Sequence, residues 1–454
     1  MAEPVLRLPP PQSAEEAFEP VRPGFLRRLA ANPRFSQYYR LGALVLIVNA
    51  AILAYGLVEL GWWQAGGIDL TSISTMVVSN FALSILVRQQ HVINILFWLA
   101  TRPSTRWPRS VRWACGKVYH HGGLHSGGAV AGSLWFLIFA GSLSYHAING
   151  LPGWSPTTLG LTYVLLALLS GIIIMALAPL RARYHDAFER MHRFGGWAAL
   201  ALFWVSTVTF TNDIRGERPL GDALLGSTGF WLLMIISVSI LLPWLRLKRV
   251  PIEIVKPSDH AAVVRFNYGD TPFPGSSNAI SRNPLLEWHS FANIPSPGED
   301  GYRLIISRAG DWTGKFIDDT PSHVWVKGIT TSGVARIEVL FKRVVYIATG
   351  SGIGPVMPHL LAKDVPIHLI WATRNPRKTY GDALVNEILE AVPDAVIWDT
   401  DAQGKPDLAK LAFEACRSFD AEAVICISNQ KLTRRVVESM EQQGIPAFGA
   451  IWDS

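Results

Sequence analysis

Cysteine is scarce. Cys115, Cys416 and Cys426 are the only three in 454 residues, and they lie far apart. That spacing excludes a disulfide framework and argues against a thiolate metal site. An early apolar region is also missing: the N-terminus is polar and Pro-rich, so no cleaved signal peptide is expected. Charge is absent from whole stretches, and Leu41 to Ala54 carries none. What is abundant instead is apolar residues, at 49% of the chain with positive mean hydropathy, which points to a membrane portion.

The apolar residues concentrate before about residue 247. Six runs there, near 41–63, 72–100, 118–145, 156–180, 192–211 and 224–247, are long enough to cross a hydrocarbon core of about 30 Å. Basic residues flank alternate ends of them. Arg27, Arg28, Arg34 and Arg40 precede the first run, and Arg102, Arg106, Arg109, Arg112 and Lys117 separate the second from the third. Arg181, Arg183, Arg190 and Arg193 separate the fourth from the fifth, and Arg246, Lys248 and Arg249 follow the sixth. The other loops are neutral or mixed. Positive-inside bias therefore places both termini in the cytoplasm, and the net charge of +6 follows from orientation rather than from nucleic acid as a partner.

Ionisable side chains inside such runs are costly and usually functional. The third run opens with "YHHGGLHSGG", where His121 and His125 are four residues apart and share a helix face, and the fifth opens with His192. Two readings stay open. Imidazoles on facing helices can clamp a haem iron, with glycines letting the macrocycle approach the backbone. Equally, such histidines can reach headgroups or carbonyls, and the glycines can serve helix packing alone.

From Val250 the pattern changes. Short alternating stretches such as "AAVVRFNY", "YRLIISR" and "HVWVKG" predict an antiparallel barrel. From Arg343, strands "RVVYIA", "IHLIWA", "AVIWDT" and "AVICIS" alternate with helical stretches starting near Ile353, Gly381, Asp407 and Lys431. That predicts a parallel sheet of the nucleotide-binding kind. Its first strand runs into "GSGIGP", where Gly350, Gly352, Gly354 and Pro355 suit a phosphate turn at a helix start. Arg374, Arg377 and Lys378 follow the second strand, either to read a ribose 2′-phosphate or as solvated loop charges. In the barrel region, "EWHSFANIP" and "SRAGDWT" offer a ring-holding aromatic and a hydroxyl residue at a helix start, or simply core aromatics.

Taken in order, these segments resemble the ferric reductase and NADPH oxidase superfamily, which has six membrane helices followed by a ferredoxin-reductase-like pair of FAD and nicotinamide-nucleotide domains. The chain looks still closer to the membrane-reductase portion of certain fungal proteins fused behind an adenylate-forming domain. The resemblance implies a cytoplasmic arm over 1–40, a transmembrane domain over 41–247, an FAD barrel over 248–341 and an NAD(P) domain over 342–454. It implies that His289, Ser290 and Phe291 contact FAD, with Phe291 near the isoalloxazine. It also implies that Arg308 and the Gly310, Trp312 and Thr313 segment hold its pyrophosphate, and that Trp452 in "FGAIWDS" covers the flavin.

Departures from the family bear on mechanism. Its Thr after the motif phenylalanine is Ala292 here, and its Pro is Ser290. Its Cys-Gly-Pro-Pro segment is replaced by Ile427-Ser428-Asn429-Gln430, with Cys426 one place early. Transmembrane members carry two histidines per ligand helix, about two heptads or 20 Å apart. Here the fifth run has Val205 and Ser206 where the second would fall, and the third run has Phe139 and its neighbours. The outer haem is therefore expected to be absent, leaving at most one inner b-type haem on His192 and His125 or His121. The expected protein is an integral protein of the cell inner membrane that passes electrons from NAD(P)H through FAD to that haem or to an unidentified acceptor. The competing expectation is a degenerate, non-catalytic redox or nucleotide sensor.

Overall fold

The computed structural model describes residues 36–62 and 69–449. Trp452 and nearly all of the N-terminal arm lie outside the described residues. The helices of eight residues or more, in chain order, begin with α1 (Gln37–Val58), α2 (Leu70–Leu86), α3 (Gln90–Ala100), α4 (Arg109–Gly116) and α5 (Gly122–Ile148). They continue with α6 (Pro156–Ala176), α7 (His185–Ile214), α8 (Thr228–Leu245), α9 (Asp311–Asp319), α10 (Ile353–Ala362), α11 (Asp382–Ala391), α12 (Leu408–Ser418) and α13 (Gln430–Gln442). By their contacts the described residues divide into a helical unit, Gln37–Gln89 with His121–Leu245, and a second unit that joins Gln90–His120 to the chain after Arg246.

In the helical unit, α1, α6, α7 and α8 are long and apolar enough to cross a membrane, as is the stretch Arg109–Ile148, of which the part from His121 belongs to this unit. The second run, expected as one span over 72–100, is instead α2 and α3 bent by 72°. The polar sequence Arg88-Gln89-Gln90 at the junction is the physical reason. The helices turn apolar side chains outward, as Ile47, Tyr55 and Val58 do on α1 and Trp231 and Val238 on α8. Some polar residues face inward in pairs. Asn49 and Asn80 exchange amide hydrogen bonds at 2.9 and 2.8 Å, and Trp135 donates its indole N–H to Asn49 Oδ1 at 2.8 Å. Asp69 caps α2, and Ser155 caps α6 ahead of Pro156.

Gly123 and Gly128 of α5 turn out to be packing residues. A Cβ on Gly123 would lie 2.1 Å from Tyr38 O of α1, and one on Gly128 would lie 2.8 Å from Asn80 O of α2. Only a hydrogen fits there, so these glycines bring backbones together rather than admitting a flat cofactor.

Among the described residues the second unit holds thirteen strands. The antiparallel part comprises β1 (Leu247–Pro251), β2 (Glu253–Val255), β3 (Ala261–Phe266), β4 (Ser276–Ser281), β5 (His289–Ala292), β6 (Tyr302–Ser307), β7 (His323–Lys327) and β8 (Thr331–Ser332). The ladder is not one closed barrel. It forms two sheets, β1-β7-β4-β5 with β8 against β4, and β2-β3-β6, joined by a single bridge between Ile294 and Arg303. Alternating residues meet between the sheets: Val264, Phe266, Leu304 and Ile306 pack with Ile280, Val324 and Val326.

The parallel part comprises β9 (Val344–Thr349), β10 (Ile367–Thr373), β11 (Val396–Asp399), β12 (Ala423–Ile427) and β13 (Ala447–Gly449), in the order β11-β10-β9-β12-β13. All four neighbouring pairs are parallel, and the near-continuous apolar sequences of β9, β10 and β12 are buried, whereas the edge strand β11 is half-buried. This is a doubly wound sheet whose order reverses between β9 and β12.

The segment 90–120 belongs to this unit. Ile93, Phe97 and Tyr119 enter its core beside Ile337, Leu340 and Phe341. Asn94 fastens the β8 edge, donating to Thr330 O at 2.8 Å and accepting from Ser332 N–H at 2.8 Å. Arg112, 4% exposed, donates to Leu340 O at 2.8 Å and to both oxygens of Glu422 at 2.7 and 3.2 Å. Lys117 pairs with Glu441 and donates to Ala447 O at 2.8 Å. Burial pushes the Glu422 carboxyl up, but hydrogen bonds from Arg112 and the Lys342 N–H leave it below its ordinary range.

Candidate functional site

The reversal point of a doubly wound sheet is where nucleotides bind, outside the carboxyl ends of the strands. Here β9 ends at Thr349 and β12 at Ile427, and Thr349 Oγ1 meets Ser428 Oγ at 2.6 Å across the gap. The chain leaves β9 through a 3-10 turn over Gly350–Gly352 and enters α10 at Ile353. Gly350 has φ +51°, a left-handed value that favours glycine. A Cβ on Gly352 would lie 2.1 Å from Ile427 O, so that position needs a bare backbone beside β12. Pro355 sits in the first turn of α10. Backbone N–H groups and the start of α10 thus face an open lip suited to a pyrophosphate.

Ser428 and Asn429 form the opposite lip. Asn429 Oδ1 accepts from Leu432 N–H and caps α13. Cys426 is buried in the sheet, and burial pushes its thiol up to about 12, so no thiolate forms near neutral pH. At the end of β10, Arg374 is 84% exposed and holds Asp401 at 3.1 Å through Nε, while Arg377 holds Asp382 at 2.9 Å. A ribose phosphate at this strand end would meet arginines that already have carboxylate partners.

The antiparallel part contributes an aromatic stack. On β5 the side-chain alternation puts His289 and Phe291 on one face, with Ser290 and Ala292 on the other. The His289 ring stacks on Trp312 with centroids 4.0 Å apart, and Phe291 stacks on the same indole at 6.2 Å. Ser290 does not join that stack. Trp312 rests on Phe316 at 5.1 Å, and its buried Nε1–H has no acceptor among the described residues. An oriented ring face and an unused donor suit a planar heterocycle with acceptor atoms.

The turn into α9 is ordered by its own side chains. Thr313 Oγ1 accepts from Ala309 N–H at 3.0 Å and Gly310 N–H at 3.1 Å. Arg308 lies alongside, donating to Asp318 at 3.0 and 2.5 Å and to Asp259 O at 3.0 Å. The Asp318 hydrogen bond moves the guanidinium up, and the same contact holds the Asp318 carboxyl below its ordinary range. The guanidinium thus lies along the side of α9, near Gly314 and the last-turn Asp318, while Ala309 and Gly310 form the helix start.

The two places adjoin. A Cβ on Gly354 would lie 3.6 Å from Ile305 Cβ of β6. Buried Tyr380 stands at the junction, with its hydroxyl 3.3 Å from Ser307 Oγ and 3.7 Å from where a Cβ of Gly350 would be. Burial pushes its phenol above the usual range, so it stays a neutral hydrogen-bonding group. Sequence reasoning missed Tyr380, because nothing in "PRKTYGD" marks it until the fold brings it to Ser307.

In the helical unit, the ring facing His192 is that of His125, with centroids 6.1 Å apart and planes at 73°. His121 lies one turn earlier, as the last residue of a 3-10 turn. His125 Nδ1 is within 2.9 Å of Ser84 O and 3.0 Å of Ser84 Oγ. An Nδ1–H given to the carbonyl leaves Nε2 as the lone-pair nitrogen, the tautomer a metal ligand needs. These two imidazoles are the ones that α5 and α7 bring face to edge, so of the three candidate histidines they are the pair that could share a ligand. Further along the same helices, Phe136 and Phe139 of α5 meet Phe203 and Phe210 of α7, at 5.7 Å for Phe136 with Phe203 and 5.2 Å for Phe139 with Phe210.

Residues 334–454 match the family described as Adenylate-forming reductase 03009, C-terminal domain. The chain is 46% identical over 431 residues to Adenylate-forming reductase 03009 of Coprinopsis cinerea, covering 94% of this chain and 41% of that one. It is 44% identical over 421 residues to Adenylate-forming reductase 06235 of the same fungus, covering 92% of this chain and 40% of that one. These relatives are adenylate-forming reductases. The chain spans about two fifths of the length of the curated relatives it matches. Among solved structures, a ferredoxin NADP+ reductase from Neisseria gonorrhoeae with bound FAD and NADP is similar at 14% identity and a TM-score of 0.37, over 45% of this chain and 98% of that one.

Proposed function

We propose that this chain is a membrane-bound flavoprotein oxidoreductase that takes electrons from NAD(P)H and delivers them on the cytoplasmic side. The observation that carries the reading is the junction itself. The glycine turn at the sheet's reversal point touches the strand that leads into Arg308 and α9, so a nicotinamide and a flavin ring would meet there. When bound, FAD would accept hydride and release electrons one at a time. The residues do the rest. His289, Phe291 and Trp312 orient the ring, Arg308 and the α9 N-terminus hold the diphosphate, and Gly350 and Gly352 admit the dinucleotide. Tyr380 ties the two halves together in a fixed relation.

The membrane reading is supported by helices long enough to span and by basic loops at alternate ends. His125 and His192 would hold one inner b-type haem, with Ser84 fixing the ligand tautomer. The resemblance to ferric reductases and NADPH oxidases points the same way, and the acceptor beyond is unidentified.

Detergent-purified protein supplied with FAD is expected to retain it and to oxidise NADH or NADPH with an artificial acceptor. His289→Ala combined with Phe291→Ala is expected to lose the flavin while the protein stays folded. Absence of flavin from the wild-type protein after FAD addition sinks the proposal. Flavin and nucleotide binding with negligible turnover against every acceptor would instead support a sensor.

A further inference from the structure

The helix α3 and the loop after it have two apolar faces, and among the described residues one is buried and the other exposed. Ile93 and Phe97 point into the core of the second unit, and Asn94 fastens the β8 edge. On the opposite side, His91, Ile95, Trp98, Leu99 and Arg102 recur at helical spacing and are exposed. Ile95 is 55% exposed, Trp98 and Leu99 54%, and Trp107 in the following loop 53%. Elsewhere in this unit, among the described residues, only Val111, Val255, Leu285, Leu286 and Val339 are exposed large aliphatics or aromatics.

Charge on this face has one sign. No Asp or Glu occurs between Asp69 and Asp186. Arg112 and Lys117 are consumed by Glu422 and Glu441, whereas Arg102, Arg106 and Arg109 are exposed and have no acidic partner among the described residues. The Arg102 guanidinium lies 3.9 Å over the Trp98 ring. The helix α3 itself begins four residues after the end of α2, an apolar helix.

We infer that residues 90–111 are a membrane-surface clamp. Ile95, Trp98, Leu99 and Trp107 enter the boundary between acyl chains and headgroups, and Arg102, Arg106 and Arg109 bind anionic lipid phosphates. This chemistry is that of an interfacial amphipathic helix: aromatic and aliphatic side chains on one stripe and arginines at its rim. What distinguishes it is its back, which is part of the reductase core, so the same eleven residues of α3 serve both an enzyme fold and a lipid surface. The inference rests on the membrane reading above, and the experiment separates the two.

The full chain is reconstituted into phosphatidylcholine vesicles with and without phosphatidylserine. Nitroxide labels are placed by Ile95→Cys or Leu99→Cys in a Cys115→Ser background, with Val164→Cys on α6 and Lys405→Cys on the second unit as references. Labels at 95 and 99 are expected to relax with oxygen rather than with a water-soluble nickel chelate, at an immersion of about 5–10 Å. The label at 405 is expected to favour nickel, and the label at 164 oxygen. Nickel access at 95 and 99 equal to that at 405, with 164 still favouring oxygen, overturns the clamp and leaves the spans standing. Exclusion of both reagents at 95 and 99 also overturns it, because a protein surface would then cover the face. Nickel access at 164 sinks the membrane reading and the clamp with it. In the anionic-lipid arm, phosphatidylserine is expected to deepen the label at 99, and Arg102→Gln with Arg106→Gln and Arg109→Gln is expected to abolish that response. An unchanged response overturns the assignment to anionic headgroups.

Discussion

The helices α5 and α7 are polar at one end of their contact and aromatic at the other. At the N-terminal end His125 and His192 face each other, with Ser84 holding one ring. In the C-terminal half Phe136, Phe139, Phe203 and Phe210 fill the space. The first arrangement spends packing on nitrogen lone pairs. The second sets phenylalanine rings against one another where the first sets imidazoles. On the proposed function, His125 and His192 would be the pair that holds a haem, and the phenylalanine level would only pack.

Substitutions should separate the two ends. Phe139→Ala opens a cavity beside buried Leu143 and Leu165 and is expected to cost about 3–5 kcal/mol of stability. It should leave the optical spectrum unchanged, as thermal unfolding and a reduced-minus-oxidised scan would read. His192→Ala should do the reverse, removing the Soret change while shifting stability far less. If both variants lose stability equally and neither alters the spectrum, the histidine end is packing as well.

The same contrast of polar fastening and apolar filling recurs where 90–120 joins the second unit. Arg112→Ala is expected to cost about 2 kcal/mol, below the full value for a buried pair because Glu422 is 21% exposed. The Glu422 carboxyl titrates below its ordinary range. Its contribution is therefore present above the unfolded value of about 4.3 and is lost as pH falls through the lower folded value. The stability gap between wild type and Glu422→Gln should be constant near neutral pH and close in acid; a gap that widens in acid contradicts the pairing. The smallest effect is expected from Ser84→Ala, about 1 kcal/mol for the lost hydroxyl bonds. The carbonyl bond to His125 stays, so any haem should be retained with a shifted midpoint potential.

The long apolar helices were legible because their chemistry is compositional: runs such as Leu41 to Ala54 have no charge to misread. The bend after Leu86 was not, since a polar triplet inside an apolar run reads equally as a tolerated interruption. Alternation revealed β3, β6 and β7 nearly to the residue. It says nothing about which edges pair, so two sheets linked by one bridge looked like a closed barrel. In the site, His289, Phe291, Trp312 and the glycines of the β9 turn could be named from their motif context. Tyr380, Ser84 and the Arg112–Glu422 pair could not, because their partners lie 73, 41 and 310 residues away in sequence. Gly123 and Gly128 carried the right residue type for two opposite roles, and only the atoms opposite them decide between the two.

The paired amides of Asn49 and Asn80, with the Trp135 indole, also act on assembly. In hydrocarbon a slide of one helix past its neighbour by a single turn would strand these groups without water to receive them. Three side chains thereby reject misaligned dockings of α1, α2 and α5 before the remainder of the bundle closes, a proofreading step written into the apolar interior.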